Sequence, residues 1–324
     1  MRRIRCTLCP KGCELAEGEI GDCRVRGSDG RRIRSLVYGR PCALHVDPVE
    51  KKPLFHFLPG TSILSVGMPG CNLHCKHCQN WRISQAGADA AGGEEVSPEE
   101  MVRLAERKGL SAVAYTYTEP LVAYEYVLDC CRAARAAGLR NALVTAAYVN
   151  PEPLRELCRH VDAANVDLKA FSDDFYREVC GGRLAPTLKA IETMKAAGVW
   201  VEITNLPIPG LNDSPDEIRR LCDWILDRLG AEVPLHFSRF FPQHESKGLS
   251  PTPPSTLRRA REIARSAGLR FVYLGNFPDE EGGTTRCSVC GAVCIERRGF
   301  GAVRCRLEGG RCPSCGAGLP GIWA

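Results

Sequence analysis

Three features of the 324-residue sequence predict an α/β fold, a partial (β/α)6 TIM-type barrel with a small cysteine-rich module at each end. Short β-rich runs alternate with helical stretches between about residues 60 and 276, and most of those helices close on a glycine. No GxGxxG follows the first strand, which removes the main signal of a doubly wound dinucleotide fold. The strands are expected, in order, at 61–67, 112–118, 141–145, 164–170, 200–205, 234–240 and 271–275. Helices are expected at 97–109, 121–137, 151–160, 186–197, 214–229 and 254–267. Ser97 stands three residues before Glu100 and makes a capping box for the first helix. Gly109, Gly138, Gly198, Gly230 and Gly268 take helix-stop positions. In such barrels chemistry gathers where strands end and the following loops begin.

Residues 1–55 read as an N-terminal four-cysteine module, 56–281 as the barrel and 282–324 as a zinc-ribbon-like module. A hydrophobic content of 44% excludes a disordered chain. No run of about 18 apolar residues could span a bilayer, and the first residues lack a secretory pattern. A cytoplasmic, reducing setting without membrane contact is therefore expected, in which 19 cysteines point to metal rather than disulfides. Cys42, Cys130, Cys131, Cys158, Cys180 and Cys222 are scattered and read as small buried apolar residues. Both ends are basic, with 12 Lys/Arg against 7 Asp/Glu in 1–52 and 6 against 2 in 283–324. That pattern suits an anionic partner or simply a solvated surface.

After the first barrel strand comes GMPGCNLHCKHCQNW, where Cys71, Cys75 and Cys78 have C-x3-C-x2-C spacing. Three closely spaced thiolates can ligate three corners of a [4Fe–4S] cluster and leave one iron open. A structural site would be closed by a fourth ligand, and the competing reading is a zinc knuckle completed by His74 or His77.

On these residues the chain resembles the radical S-adenosylmethionine (SAM) superfamily, with His77 in the aromatic position of its signature. The resemblance extends to AYTYTEP, NVDLKAFSDDFY, EITNLPIPGLNDSPDEI, PLHFSRFFP and CPSCGAGLPGIW, and is nearest to the radical enzymes of the AmmeMemoRadiSam system, which are similar to pyruvate formate-lyase activating enzymes. It implies an anaerobic enzyme whose cluster reductively cleaves SAM to methionine and a 5′-deoxyadenosyl radical, which takes hydrogen from a substrate. It also implies reduced flavodoxin or ferredoxin as electron donor and the other AmmeMemoRadiSam proteins as partners. No side chain is assigned as catalytic, because cluster and cofactor carry the chemistry. By the resemblance, Tyr117, Thr118 and Glu119 stand where activating enzymes have Gly-Gly-Glu, and Glu119 is expected to accept from the methionyl ammonium. Thr145, then Ala146 and Ala147, replace a Thr-Asn-Gly. Asp167 and Lys169 keep an Asp-x-Lys, and with His77 and Asn205 they complete the expected SAM contacts. Asp167 and Lys169 could also be a local ion pair. Of His236 and Arg239, three apart on one strand, at most one should line the pocket.

In the tail, Cys287, Cys290, Cys312 and Cys315 form two CxxCG knuckles with zinc-ribbon spacing. Cys294 and Cys305 are spare there, or part of another cluster. The N-terminal Cys6, Cys9, Cys13 and Cys23 could hold zinc or an auxiliary iron–sulfur cluster. Two enzymatic readings stand open: a small-molecule or peptide substrate, or a glycyl-radical partner protein. The altered motifs favour the small-molecule or peptide reading over the glycyl-radical one, and the rival from another class is a zinc-ribbon protein binding nucleic acid through its basic ends.

Overall fold

A computed structural model describes residues 2–91, 93–279, 281–300 and 302–324. Eight strands form one sheet: β1 (Ala43–Pro48), β2 (Ser62–Gly67), β3 (Ala112–Thr116), β4 (Arg140–Thr145), β5 (Ala163–Asp167), β6 (Trp200–Asn205), β7 (Leu235–Ser238) and β8 (Val272–Gly275). They lie side by side in chain order, and the two ends do not pair, so the barrel is open. From β2 to β8 all neighbours are parallel, which the intervening helices allow. Those helices are α1 (Pro98–Arg107), α2 (Tyr124–Ala136), α3 (Pro151–Cys158), α4 (Leu184–Ala196), α5 (Pro215–Arg228) and α6 (Pro254–Ala267). All seven expected strands and six expected helices are present.

Local chemistry explains the boundaries. Ser97 Oγ accepts from Glu100 N at 3.2 Å while Glu100 Oε2 accepts from Ser97 N at 2.9 Å, closing the capping box at α1. Such a cap contributes about 1 kcal/mol. The five helix-stop glycines all have positive φ. β3 is buried at every position, as a strand covered on both faces must be, and Tyr115 and Tyr126 are fully enclosed in the core. No helix among the described residues is long and apolar enough to cross a membrane.

The segment assigned to the N-terminal module departs from expectation in one respect. Its stretch Ala43–Pro48 is β1, an antiparallel edge of the barrel sheet paired with β2 from Ala43↔Gly67 to Pro48↔Ser62. The four-cysteine module proper therefore precedes it, built on two small hairpins, Ile4–Arg5 with Glu14–Leu15 and Arg26–Ser28 with Ile33–Ser35.

The C-terminal module folds as three antiparallel strands, Thr285–Arg286, Val293–Arg298 and Ala302–Cys305, and docks on the barrel floor. Ile322 N donates to His56 O and Leu58 N to Ile322 O, each at 2.8 Å. Gly321 is required there, since a Cβ would stand 2.6 Å from His56 O. A directed chain of hydrogen bonds completes the docking. Arg297 can only donate, and it gives to Thr285 Oγ1 at 2.8 Å. Pro320 O can only accept, so His56 Nδ1 donates to it at 2.7 Å, and burial keeps that imidazole neutral by lowering its pKa to about 4. His56 Nε2 must then accept from Tyr273 OH at 2.6 Å, and Tyr273 OH accepts from Thr285 at 2.8 Å.

Candidate functional site

β2 ends at Gly67, and the next turn carries the cysteine triad to the C-terminal ends of the strands. Cys71, Cys75 and Cys78 all line one cavity of about 510 Å³. A short segment, Tyr176–Cys180, pins their loop from behind: His74 N donates to Cys180 O at 2.8 Å and Lys76 N to Val179 O at 2.9 Å. Leu73 N points at Cys71 Sγ (3.4 Å), and Cys78 Sγ meets Ser84 Oγ at 3.2 Å. A hydrogen bond from the Cys180 thiol holds Cys75 below the ordinary thiol range, whereas burial pushes Cys71 well up. Cys180, read from sequence as core filler, is fully buried and lies against Cys75 of the triad.

The strand ends supply the polar wall. His77, Tyr117, Thr118, Glu119, Asp167 and Lys169 line the same cavity. Tyr117 keeps a left-handed backbone, φ 72°, at a position where a side chain is costly. Its hydroxyl donates to Asp47 Oδ2 at 2.5 Å and Lys52 Nζ sits 4.5 Å above its ring, which fix the conformation. Against the burial that pushes it up, hydrogen bonds from Lys51, Lys52 and Tyr117 hold Asp47 well below the carboxylate range. Glu119 accepts from Thr145 Oγ1 at 2.6 Å, Ala146 N at 2.9 Å and Leu121 N at 3.2 Å, yet burial still raises its pKa to about 7. Asp167 and Lys169 form an ion pair of 2.8 Å, and the pair faces the cavity. That carboxylate and Cys75 raise the Lys169 pKa against the cost of burial, so the ammonium persists.

Two expected contacts stand behind this wall. Thr145 is the donor under Glu119, and Asn205 Nδ2 holds Leu168 O at 2.9 Å, bracing the turn that presents Lys169. Of the β7 pair, His236 lines the cavity, and Arg239 instead donates to Thr252 O at 2.9 Å. The sequence reading missed Thr204, Lys52 and Phe55, which extend the lining along β6 and the β1–β2 connection. Glu202 was the available signal: a lone acid inside a strand marks its inward face, and Thr204, two residues on, shares that face.

Two buried atoms test whether this cavity suits a ligand. His77 Nδ1 and Thr204 Oγ1 both lack a hydrogen-bond partner, although buried polar groups are nearly always paired. Burial lowers the His77 pKa to about 3, so a neutral ring is presented. Three thiols, two orphaned polar atoms and a salt-bridged ammonium fit a cluster with a polar, zwitterionic ligand.

The C-terminal quartet is a different kind of site. Its sulfurs all lie within 4.8 Å of one another, with Cys287–Cys315 at 3.7 Å and Cys290–Cys312 at 3.6 Å. Zn–S bonds of about 2.3 Å imply tetrahedral edges near 3.8 Å, so one tetrahedral ion fits with little adjustment. Val289 N and Ser314 N point at Cys287 and Cys312, the amide-to-sulfur pattern of a knuckle. Cys294 and Cys305 stay outside this quartet.

The family model of the radical SAM superfamily matches residues 65–225, which contain the end of β2, the triad and β3 through β6. An uncharacterized protein of Methanocaldococcus jannaschii is 44% identical over 316 residues, 97% of this chain and 94% of that protein. The pyruvate formate-lyase-activating enzyme of Clostridium pasteurianum is 30% identical over 169 residues, 48% of this chain and 66% of that enzyme. The crystal structure of Streptococcus suis SuiB bound to precursor peptide SuiA superposes with a TM-score of 0.52 at 16% identity, over 69% of this chain and 50% of that one. That last likeness concerns the fold alone.

Proposed function

The chain belongs to the radical SAM superfamily, and from that premise we propose a radical SAM enzyme of the AmmeMemoRadiSam type acting on a small molecule or peptide. The observation that carries this is the convergence of Cys71, Cys75 and Cys78 with Asp167, Lys169 and Glu119 on a single cavity. The triad would hold the cluster, and its open iron with SAM would supply reductive cleavage and a hydrogen-abstracting 5′-deoxyadenosyl radical. Lys169 would hold a carboxylate and Glu119 an ammonium, and His77 and Thr204 would offer their unpaired atoms to the remaining polar groups. Thr145 and Asn205 orient Glu119 and Lys169 from behind. Tyr117 and Phe55, which also line the cavity, would limit water inside it.

A second reading, a glycyl-radical-enzyme activase, is supported by the likeness to the Clostridium pasteurianum enzyme. Tyr117, with Ala146 and Ala147 after β4, favours the first. Anaerobically reconstituted protein given dithionite and SAM should form 5′-deoxyadenosine, and protein that carries the triad's iron yet forms none would sink both. Deuterium transferred into 5′-deoxyadenosine from labelled metabolites and peptides, rather than from a labelled glycyl-radical protein, separates the two. Reduced flavodoxin or ferredoxin is the proposed donor.

We also propose zinc in the C-terminal quartet. Cys290→Ser is expected to lose about one zinc per chain, since structural sites need all four ligands. Its melting temperature should fall by several degrees. Elemental analysis and a thermal melt check both, and undiminished zinc would remove the assignment.

A further inference from the structure

The N-terminal cysteines differ from the C-terminal ones in spacing. Among the described residues, only the C-terminal quartet brings three or more candidate ligand atoms within 4.8 Å of one another. Cys6, Cys9, Cys13 and Cys23 do not converge so tightly, and neither does the triad, which the family assigns to a polynuclear cluster. All four N-terminal cysteines instead line a small cavity of about 10 Å³. Four sulfurs held about 2.3 Å from one zinc would leave no such space at their centre. A wider ring of thiols with room inside suits a polynuclear core.

A second observation points to an anionic occupant. Arg26 lines that cavity, is only 6% exposed, and pairs with Glu125 at 2.7 Å through both terminal nitrogens. Its Nε is buried without a partner. A thiolate-ligated cluster is a negative group beside that donor.

The module is also seated directly on the triad's loop, residue against residue. Gly70 has φ 87°, and a Cβ there would meet Cys23 O at 2.6 Å, so only glycine lets the two backbones approach. The Asn72 side chain, which donates to Tyr148 O at 2.7 Å, lies beside the Cys9 thiol. His74 Nε2 meets Asp22 Oδ2 at 2.9 Å. The residues that precede or separate Cys71 and Cys75 thus touch residues that are, or adjoin, N-terminal cysteines.

We propose that Cys6, Cys9, Cys13 and Cys23 ligate a second [4Fe–4S] cluster that relays single electrons from an external carrier protein to the triad's site. The relay role rests on the reading of the triad given above; the site itself does not. Each transfer oxidises the carrier by one electron and reduces the second cluster by one. That cluster returns to its oxidised state as the triad's cluster gains the electron. No bond forms or breaks, and no proton moves.

Iron and sulfide analysis of the full chain after anaerobic reconstitution tests this, alongside zinc analysis. Wild type should hold roughly eight iron and the Cys71→Ala/Cys75→Ala/Cys78→Ala variant roughly four, two [4Fe–4S] clusters against one. The reduced triple variant should give a paramagnetic signal that added SAM does not perturb. A triple variant with no iron and two zinc per chain overturns the proposal. Four iron in both proteins upholds the second cluster and removes the reading of the triad. In Cys9→Ser/Cys13→Ser, dithionite should still reduce the triad's cluster while reduced flavodoxin no longer does. Equal reduction by both donors removes the relay. Should that variant fail to fold, the iron content of the triple variant decides the site.

Discussion

Cys75→Ala is expected to reduce 5′-deoxyadenosine formation to background while leaving the barrel folded. The two halves of that expectation have separate physical sources. In the proposed cluster three thiolates would be the whole protein contribution to its first coordination, so removing one would leave two irons without protein ligands instead of one. The fold, by contrast, holds this loop through backbone groups that alanine retains: His74 N to Cys180 O at 2.8 Å and Lys76 N to Val179 O at 2.9 Å. Losing one buried sulfur costs stability on the order of 1 kcal/mol, the scale of a small core truncation. Cys130→Ala is the matched control, since Cys130 is also buried but lies on α2, away from the cavity. It should lose similar stability and no activity. Product assay, iron content and a denaturant titration on both variants check the pair. Full activity in Cys75→Ala would leave the triad without its role.

The barrel was readable because its elements repeat a local rule. Each strand from β2 to β8 is a short buried run, and α1 carries its stop and start signals in Ser97, Glu100 and Gly109. β1 obeyed no such rule. It is an edge strand with exposed Val46, a closing Pro48 and no clean alternation, and its place depends on pairing with β2. The same distinction runs through the site. Cysteine spacing is a local signal, and it located the triad and the C-terminal quartet. Strand-end residues were harder, because the choice between neighbours turns on which face each one takes. Thr204 faces the cavity, and Asn205 braces Leu168 and Lys169 from the other side. Lys52 and Phe55 come to the cavity from the β1–β2 connection, and Cys180 reaches Cys75 across about a hundred residues. Those proximities arise from sheet order, which no single stretch of sequence records.

The largest stability effect should come from a residue that touches none of the proposed metal sites. Glu202 on β6 is completely buried and accepts four hydrogen bonds: from His56 N and His236 Nε2 at 2.7 Å, Phe55 N at 3.0 Å and Trp200 Nε1 at 3.1 Å. Glu202→Ala strands all four donors in a dry interior, so unfolding should become easier by about 3–5 kcal/mol. Burial alone would push the Glu202 pKa up, but these donors, His236 foremost, hold it below the ordinary value. A depressed folded pKa means the stabilisation is present above the unfolded-state value of about 4.3 and is lost as pH falls through the folded one. Wild type should therefore lose stability on acidification below that value more steeply than the alanine variant. Urea titrations at neutral and acid pH measure both, and a cost under about 1 kcal/mol with parallel acid slopes would contradict the assignment. The consequence extends to the C-terminal module. Phe55 and His56, which Glu202 positions, are the residues that receive Arg297 and bond Pro320 and Ile322. The variant should loosen that module from the barrel while its own four cysteines, held by local knuckles, keep the proposed zinc.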